Sequence, residues 1–404
     1  MDTGIMLSEI FMIVPDHRVT GRCTYALSDL LTIALLTYIC GGEDYVDMSE
    51  FAYYRARDFG LLADRPDRSP SPDTFERLMS AVAPDEIEKC LIEYGRKFLD
   101  TLAEKQVVID GKKLRGTSPK LHRTKGDYIM NAYVSENHIV VGQQRLKDKE
   151  NEIVAIPQLI EKPDIEGAVI SIDAIGTPVN IAQDILDKNA HYFLAVKENQ
   201  GVLNEQIIDA FRYSKPIDTA SQMDADHGRI ETRDCRILNA DAIEDKDVLA
   251  RWPGLKTLIE VTSTVDYGTR SATAVRRYIS DEDYPKAAYF NMLARGHWSI
   301  ENQLHWNLDV TFLEDACRAR KGYAALNLST IRKLAMQIIK EHVDKSSLKK
   351  RRFKASLSND YHFRYVNTNN VKSRRNDDAA TQRPVLRIGR PSCRGAGAGH
   401  GRAI

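Results

Sequence analysis

Three acidic residues of this sequence could together hold a divalent metal ion. Asp110 closes the apolar run Val107-Val108-Ile109, and Asp173 closes the run Val169-Ile170-Ser171-Ile172. A carboxylate that follows such a run sits at the edge of a sheet or partly inside it. Taken singly, Asp110-Gly111 also reads as a tight turn, and Asp173 as the cap of the following helix. Taken together they carry more, because neighbouring strands would bring them face to face. Two facing carboxylates repel unless a cation lies between them. Glu301 offers a third acid, in a stretch dense in polar and aromatic side chains, Arg295 to Trp306. On a helix His297, Glu301 and His305 fall at i, i+4 and i+8. Zinc is one reading of that spacing, but the order His-Glu-x-x-His is missing. Two Asp and one Glu are hard oxygen donors and suit magnesium or manganese better. The remaining alternative is a packed helix whose His and Trp are satisfied internally.

Positioning these acids requires a sheet and a helix, and the sequence supplies both. Residues 1–104 read as several short helices with tight breaks. Ser28 caps a helix running through Cys40, and Gly41-Gly42 stops it. Further helices are expected over 48–58, over 74–83, and from Pro84 towards Ala103. At Gln106 the texture changes. Strands are expected over 106–110, 128–135 and 138–144, the last two joined by Glu136-Asn137. Then follow a helix over 151–161, a strand over 168–173, a helix over 179–188, a strand over 191–197 and a helix over 202–211. Three antiparallel strands followed by β-α-β units predict an α/β fold, a mixed sheet with helices on its faces. Residues 215–282 break the alternation with strands over 230–238, 257–264 and 273–280, a β-rich insertion. From Lys286 to Val343 the chain reads as helical, with Leu328, Ile331, Leu334, Ala335 and Ile338 on one face.

Composition narrows the class. Lys+Arg and Asp+Glu number 57 each among 404 residues. That balance hides an asymmetry: residues 345–404 carry 15 basic and 3 acidic residues, which leaves 42 and 54 for residues 1–344. A basic tail on a slightly acidic body suits a polyanion, or a solvated tail with no partner. The longest apolar run, residues 30–40, falls short of the about 20 residues a bilayer span needs, and no secretory signal is expected. Six scattered cysteines without a Cys-x-x-Cys pair argue against a zinc ribbon or disulfide framework and fit a reducing cytosol.

Several motifs resemble one family. They include Ile109-Asp110-Gly111-Lys112 with Leu114-Arg115-Gly116, Glu150-Asn151-Glu152-Ile153, Ile172-Asp173-Ala174, and Ala195-Val196-Lys197 with Asn199-Gln200. Others are His227-Gly228-Arg229-Ile230-Glu231, His297-Trp298-Ser299-Ile300-Glu301-Asn302, Leu308-Asp309-Val310-Thr311-Phe312 and Glu314-Asp315. In order and over roughly residues 8–360, the sequence resembles the bacterial insertion-sequence DDE transposases that include the H-repeat-associated proteins. The resemblance implies an RNase H-like catalytic core (105–345) with a β-rich insertion at about 215–282. It also implies a small helical transposase-associated domain (1–104), followed here by a basic tail (346–404) expected to be disordered. Asp110, Asp173 and Glu301 would be the catalytic acids and hold Mg²⁺ or Mn²⁺. The partner would be DNA, both the element's terminal inverted repeats and the target, engaged by a homodimer in the bacterial cytoplasm, on the nucleoid. Two departures stand out: Glu198 where the family often has Gly, and a tail from about Val366 unlike the family's.

The implied chemistry is phosphodiester cleavage and strand transfer with two ions about 3.5–4 Å apart. Lys112, Arg115, Lys197, Arg229 and Arg295 are candidate phosphate contacts, with a solvated face as the alternative for each. Trp298 could stack on a splayed base, or pack in the core. Two rival functions are a nuclease of the same fold that only cuts, and a non-catalytic DNA-binding descendant of a transposase.

Overall fold

A computed structural model describes residues 7–63, 67–118, 126–146, 152–173, 178–226, 228–342, 344–358 and 361. Four helices precede the sheet: α1 (Leu27–Ile39), α2 (Tyr45–Tyr54), α3 (Pro72–Ala81) and α4 (Pro84–Arg96). α1 begins one residue before the expected cap, so Ala26 and not Ser28 holds the cap position, without a side-chain bond. The start of α2 lies before Met48 because Asp44 accepts from the Val46 and Asp47 amides while Asp47 reaches back, a reciprocal cap. α3 and α4 open on prolines, whose missing amide costs nothing in a first turn. α4 stops at Arg96, short of Ala103.

The sheet begins with β1 (Gln106–Lys113), β2 (Tyr128–Val134) and β3 (Ile139–Leu146). It continues through α5 (Glu152–Ile160), β4 (Val169–Ile172), α6 (Val179–Asp187), β5 (His191–Val196) and α7 (Gly201–Tyr213). Next come β6 (Asp218–Asp226), β7 (Arg229–Asn239), α8 (Lys246–Arg251), β8 (Thr257–Asp266) and β9 (Ser271–Ser280). The nine strands among the described residues form one sheet in the order β3-β2-β1-β4-β5-β9-β8-β7-β6. Its middle, β1-β4-β5, is parallel, and every other pairing is antiparallel. The insertion therefore widens the central sheet, since β9 pairs with β5 from Phe193↔Ser280 to Val196↔Arg277. The sequence pattern misses β6, Asp-Thr-Ala-Ser-Gln-Met-Asp-Ala-Asp, which has one β-branched residue. Its ladder is imposed by β7, with which it pairs along its whole length.

The C-terminal part is less uniform than one helical stretch. It contains α9 (Ala287–His297), a π-helical turn (Ile300–His305), α10 (Trp306–Val310), a loop, and α11 (Ala324–Glu341). α11 is buried on every side from Ala324 to Ile339, not on one stripe. The reason is that α1 to α4 share one apolar core with it, closed underneath by Val108, Tyr133 and Val140 of the sheet. Even Lys333 is enclosed, donating to Asn131 Oδ1 (2.6 Å) and Gln143 Oε1 (2.7 Å), and burial pulls its ammonium down to about 8. The opposite face of the sheet packs α5, α6 and α7 through Ile109, Ile170 and Leu194.

The start of the basic tail is ordered, contrary to expectation. α12 (Leu348–Leu357) carries the cluster Lys349, Lys350, Arg351, Arg352 and Lys354 and docks on α1 and α11. Arg352 is buried there, and Lys354 is paired with Asp344 at 2.6 Å. The rest of the tail, from residue 362, lies outside the described residues.

Candidate active site

β1 and β4 run parallel from Gln106↔Val169 to Ile109↔Ile172, and there their pairing ends. Asp110 and Asp173 are the next residues on each strand, so the register itself sets the two acids side by side along the chain. Ligands gather at such carboxyl ends of parallel strands. β1 does not stop at Asp110, as the sequence pattern suggests. It stays paired with β2 as far as Lys113↔Tyr128, which excludes a tight turn at Asp110-Gly111.

The π-helical turn brings in Glu301. Ile300, Leu304 and Leu308 anchor it in the core below, while Glu301 and His305 face Asp110 of β1. His305 Nδ1 lies 3.0 Å from Glu301 Oε2 and 3.5 Å from Asp110 Oδ2. Donor atoms of Asp110, Glu301 and His305 all fall within 4.8 Å of one another. The hydrogen bond from His305 holds the Glu301 carboxyl below its usual range, and Lys112 and Arg115 add to this. Glu301 is therefore ionised at neutral pH.

Asp173 stands outside that group and pairs with Lys197, which follows β5 on the neighbouring strand (Nζ to Oδ1 2.9 Å). Of the three acids, the structure thus joins two closely and places the third at the adjoining strand end, under a lysine. The spacing His297-Glu301-His305 does not form one ligand face. The widened turn separates them, and His297 is buried against Ser171 Oγ at 2.6 Å, where desolvation lowers it to about 4. A two-histidine zinc site is thereby excluded.

The candidate cations divide. Lys112 is buried and no surface contact: its Nζ lies 2.5 Å from Asp309, 3.7 Å from Glu314 and 3.7 Å from Asp315. Arg115 is exposed, near Asp315 at 3.5 Å. Arg229 lies on β7, five strand positions from β1 and so roughly 24 Å away. Arg295 is turned towards Glu231 at 3.8 Å. Trp298 is partly exposed, but the Arg276 guanidinium covers its ring at 4.6 Å.

Sequence reasoning leaves two features out of the site. His305 is visible in it only as part of the rejected zinc spacing, although it stands four residues after Glu301. The other is an exposed basic loop, Arg318, Arg320 and Lys321, in which Lys321 lies 3.9 Å from Glu76 of α3. Arg320 Nε donates to the Gly116 carbonyl at 3.0 Å. Only glycine lets residue 116 lie so close to the 315–317 backbone, because a Cβ there would collide with the Cys317 carbonyl.

Comparison with known proteins bears on this geometry. Residues 102–338 match the family described as Transposase DDE domain, and residues 8–95 the family described as DDE_Tnp_1-associated. YncI of Escherichia coli O157:H7, a protein named as a transposase, is 34% identical over 367 residues, 88% of this chain and 93% of its own. YhhI of Escherichia coli K12, named as an H repeat-associated transposase, is 32% identical over 364 residues, 88% of this chain and 96% of its own. Among solved structures, a piggyBac transposase synaptic complex with hairpin DNA covers 94% of this chain and 84% of that chain, at 13% identity and a TM-score of 0.41.

Proposed function

Because the chain belongs to the DDE transposase family, we propose that it cuts the ends of an insertion element and joins them to target DNA. Its fold is RNase H-like, as the DDE domain implies, here with a sheet widened to nine strands. The observation that carries the proposal is the shared register of Asp110 and Asp173, with Glu301 folded back onto Asp110. Family membership also implies use of a divalent metal. The residues fit one: two carboxylates and a ring nitrogen converge within 4.8 Å, a donor set suited to a cation.

Asp110, Asp173 and Glu301 would hold Mg²⁺ or Mn²⁺. Such ions supply Lewis acidity to phosphate oxygens and lower the pKa of a bound water or hydroxyl. In the first step the water oxygen bonds to phosphorus and the bond to the 3′ oxygen breaks, leaving a 3′-OH. In the second, that 3′ oxygen attacks a target phosphate and displaces the target's own 3′ oxygen, so no bond to the protein forms. Lys197 would offset the charge of Asp173. Residues 1–104 would help recognise the element ends. Two copies would hold the two ends, acting on the bacterial nucleoid. No helix among the described residues is long and apolar enough to cross a membrane. The deciding experiment incubates the protein with DNA bearing its element's ends and Mg²⁺. Nicks with 3′-OH ends plus joined products are expected; cutting without joining would favour a nuclease instead.

The basic loop and Lys112 should behave differently. Replacing Arg318 and Lys321 with alanine is expected to make the slope of log K against log salt shallower, by about 0.9 for each phosphate no longer neutralised. A salt titration on random DNA reads this, and an unchanged slope removes the loop from the DNA surface. Lys112→Met is expected to leave the slope alone and to cost about 3 kcal/mol of stability, since it strands the acids around it. Thermal melts check that, and an unaltered melt with a shallower slope would return Lys112 to the DNA path.

A further inference from the structure

We infer that the cation held by Asp110 and Glu301 takes a nitrogen ligand, Nδ1 of His305, so that the two metal positions of the site differ in chemistry. The inference rests on the metal reading above and adds a residue to it. Its basis is geometric. The His305 ring is buried, with a relative exposure of 4%, and its Nδ1 edge is shared by two carboxylate oxygens at 3.0 and 3.5 Å. Neighbouring donors on a cation with bonds of about 2.1–2.2 Å lie about 3 Å apart. The observed separations are of that size.

A simple hydrogen bond accounts for less. One ring N–H satisfies Glu301, but the second carboxylate still faces the same nitrogen. A cation between the three donors balances both carboxylates and uses the Nδ1 lone pair. Asp173 is absent from this group and engaged by Lys197. The position next to Asp173 is therefore an oxygen site, and the position next to Glu301 a mixed oxygen–nitrogen site. Imidazole raises affinity for first-row transition ions relative to magnesium. The mixed position should accordingly prefer Mn²⁺ to Mg²⁺ more strongly than an all-oxygen one.

The test uses the full chain and Mn²⁺ alone, without DNA, by titration and pulsed electron paramagnetic resonance. The wild type is expected to bind Mn²⁺ with a directly coupled nitrogen. In His305→Gln that coupling should vanish, Mn²⁺ binding should weaken about tenfold or more, and the preference for Mn²⁺ over Mg²⁺ should shrink. Bound Mn²⁺ without nitrogen coupling, or coupling that survives in His305→Gln, overturns the role of His305 and leaves the acid site standing. A wild type that binds no Mn²⁺, or binding that Asp110→Asn does not alter, overturns both. Should His305→Gln fail to fold, wild type made with ¹⁵N-histidine, compared with Asp110→Asn, still decides whether the coupled nitrogen belongs to a histidine at this site.

Discussion

Asp110→Asn, Asp173→Asn and Glu301→Gln should each lower cleavage of element-end DNA by about a thousandfold or more, while affinity for the same DNA changes little. Each substitution keeps the side chain's shape and removes one negative charge. The first and last act on a carboxylate that meets its partner around His305. The middle one also frees Lys197, whose ammonium now pairs with Asp173. Asp173→Asn alone is therefore no proof of metal binding, and Lys197→Met provides the control: it breaks the same pair and spares the acid. A Lys197→Met protein that still cuts, beside an Asp173→Asn protein that does not, assigns the loss to the carboxylate. The measurement is single-turnover cleavage in Mg²⁺ with DNA in excess of its Kd. Near wild-type cutting by any one of the three acid variants removes that residue from the catalytic set.

How much of the fold and site is legible in the sequence depends on the range of the interactions. Asp110 and Asp173 are visible because apolar runs mark strands locally, and their adjacency follows from the β-α-β order. The continuation of β1 past Asp110 is not visible, because it depends on pairing with β2 fifteen or more residues later. Lys112 illustrates the same limit. Two residues from a candidate catalytic acid, it looks like a phosphate contact, yet Asp309, Glu314 and Asp315 enclose it from about 200 positions away. The π-helical turn at Ile300–His305 is likewise hidden, since periodicity assumes a regular helix. That one irregularity withdraws His297 into the core and leaves His305 with the acids. Charge counting fails in another way, by treating a run of Lys and Arg as surface without asking what backbone it could serve.

Arg352→Leu is the sharpest test of that last point and should lower stability by about 3 kcal/mol, a melting shift of about 5 °C. The guanidinium donates to the carbonyls of Tyr38 (2.9 Å), Gly42 (3.2 Å) and Thr311, and lies 4.4 Å over the Phe312 ring. Tyr38 and Gly42 are at the C-terminal end of α1, where carbonyls lack helical partners and the dipole is negative. Its neighbour Arg351 does the same for α11 through the carbonyls of Ile339 (3.0 Å) and Lys340 (3.4 Å). Adjacent arginines thus close two helices that are far apart in sequence. Burial lowers the Arg352 guanidinium to about 10, which still leaves it charged at neutral pH. Leucine would fill much of the space but remove the hydrogen bonds to Gly42 and Thr311 and one of those to Tyr38, each worth about 1 kcal/mol or more when buried. Arg352→Lys should fall between, because one ammonium cannot reach all three oxygens in the geometry of a planar fork. Deleting residues 345–404 should destabilise further, removing both arginines together with the Lys354–Asp344 pair. A melt within about 1 °C of wild type for Arg352→Leu, with a shallower salt slope for DNA, would make the cluster a nucleic-acid surface after all. The opposite pattern, a lower melt with an unchanged slope, makes α12 a clasp on the N-terminal helices.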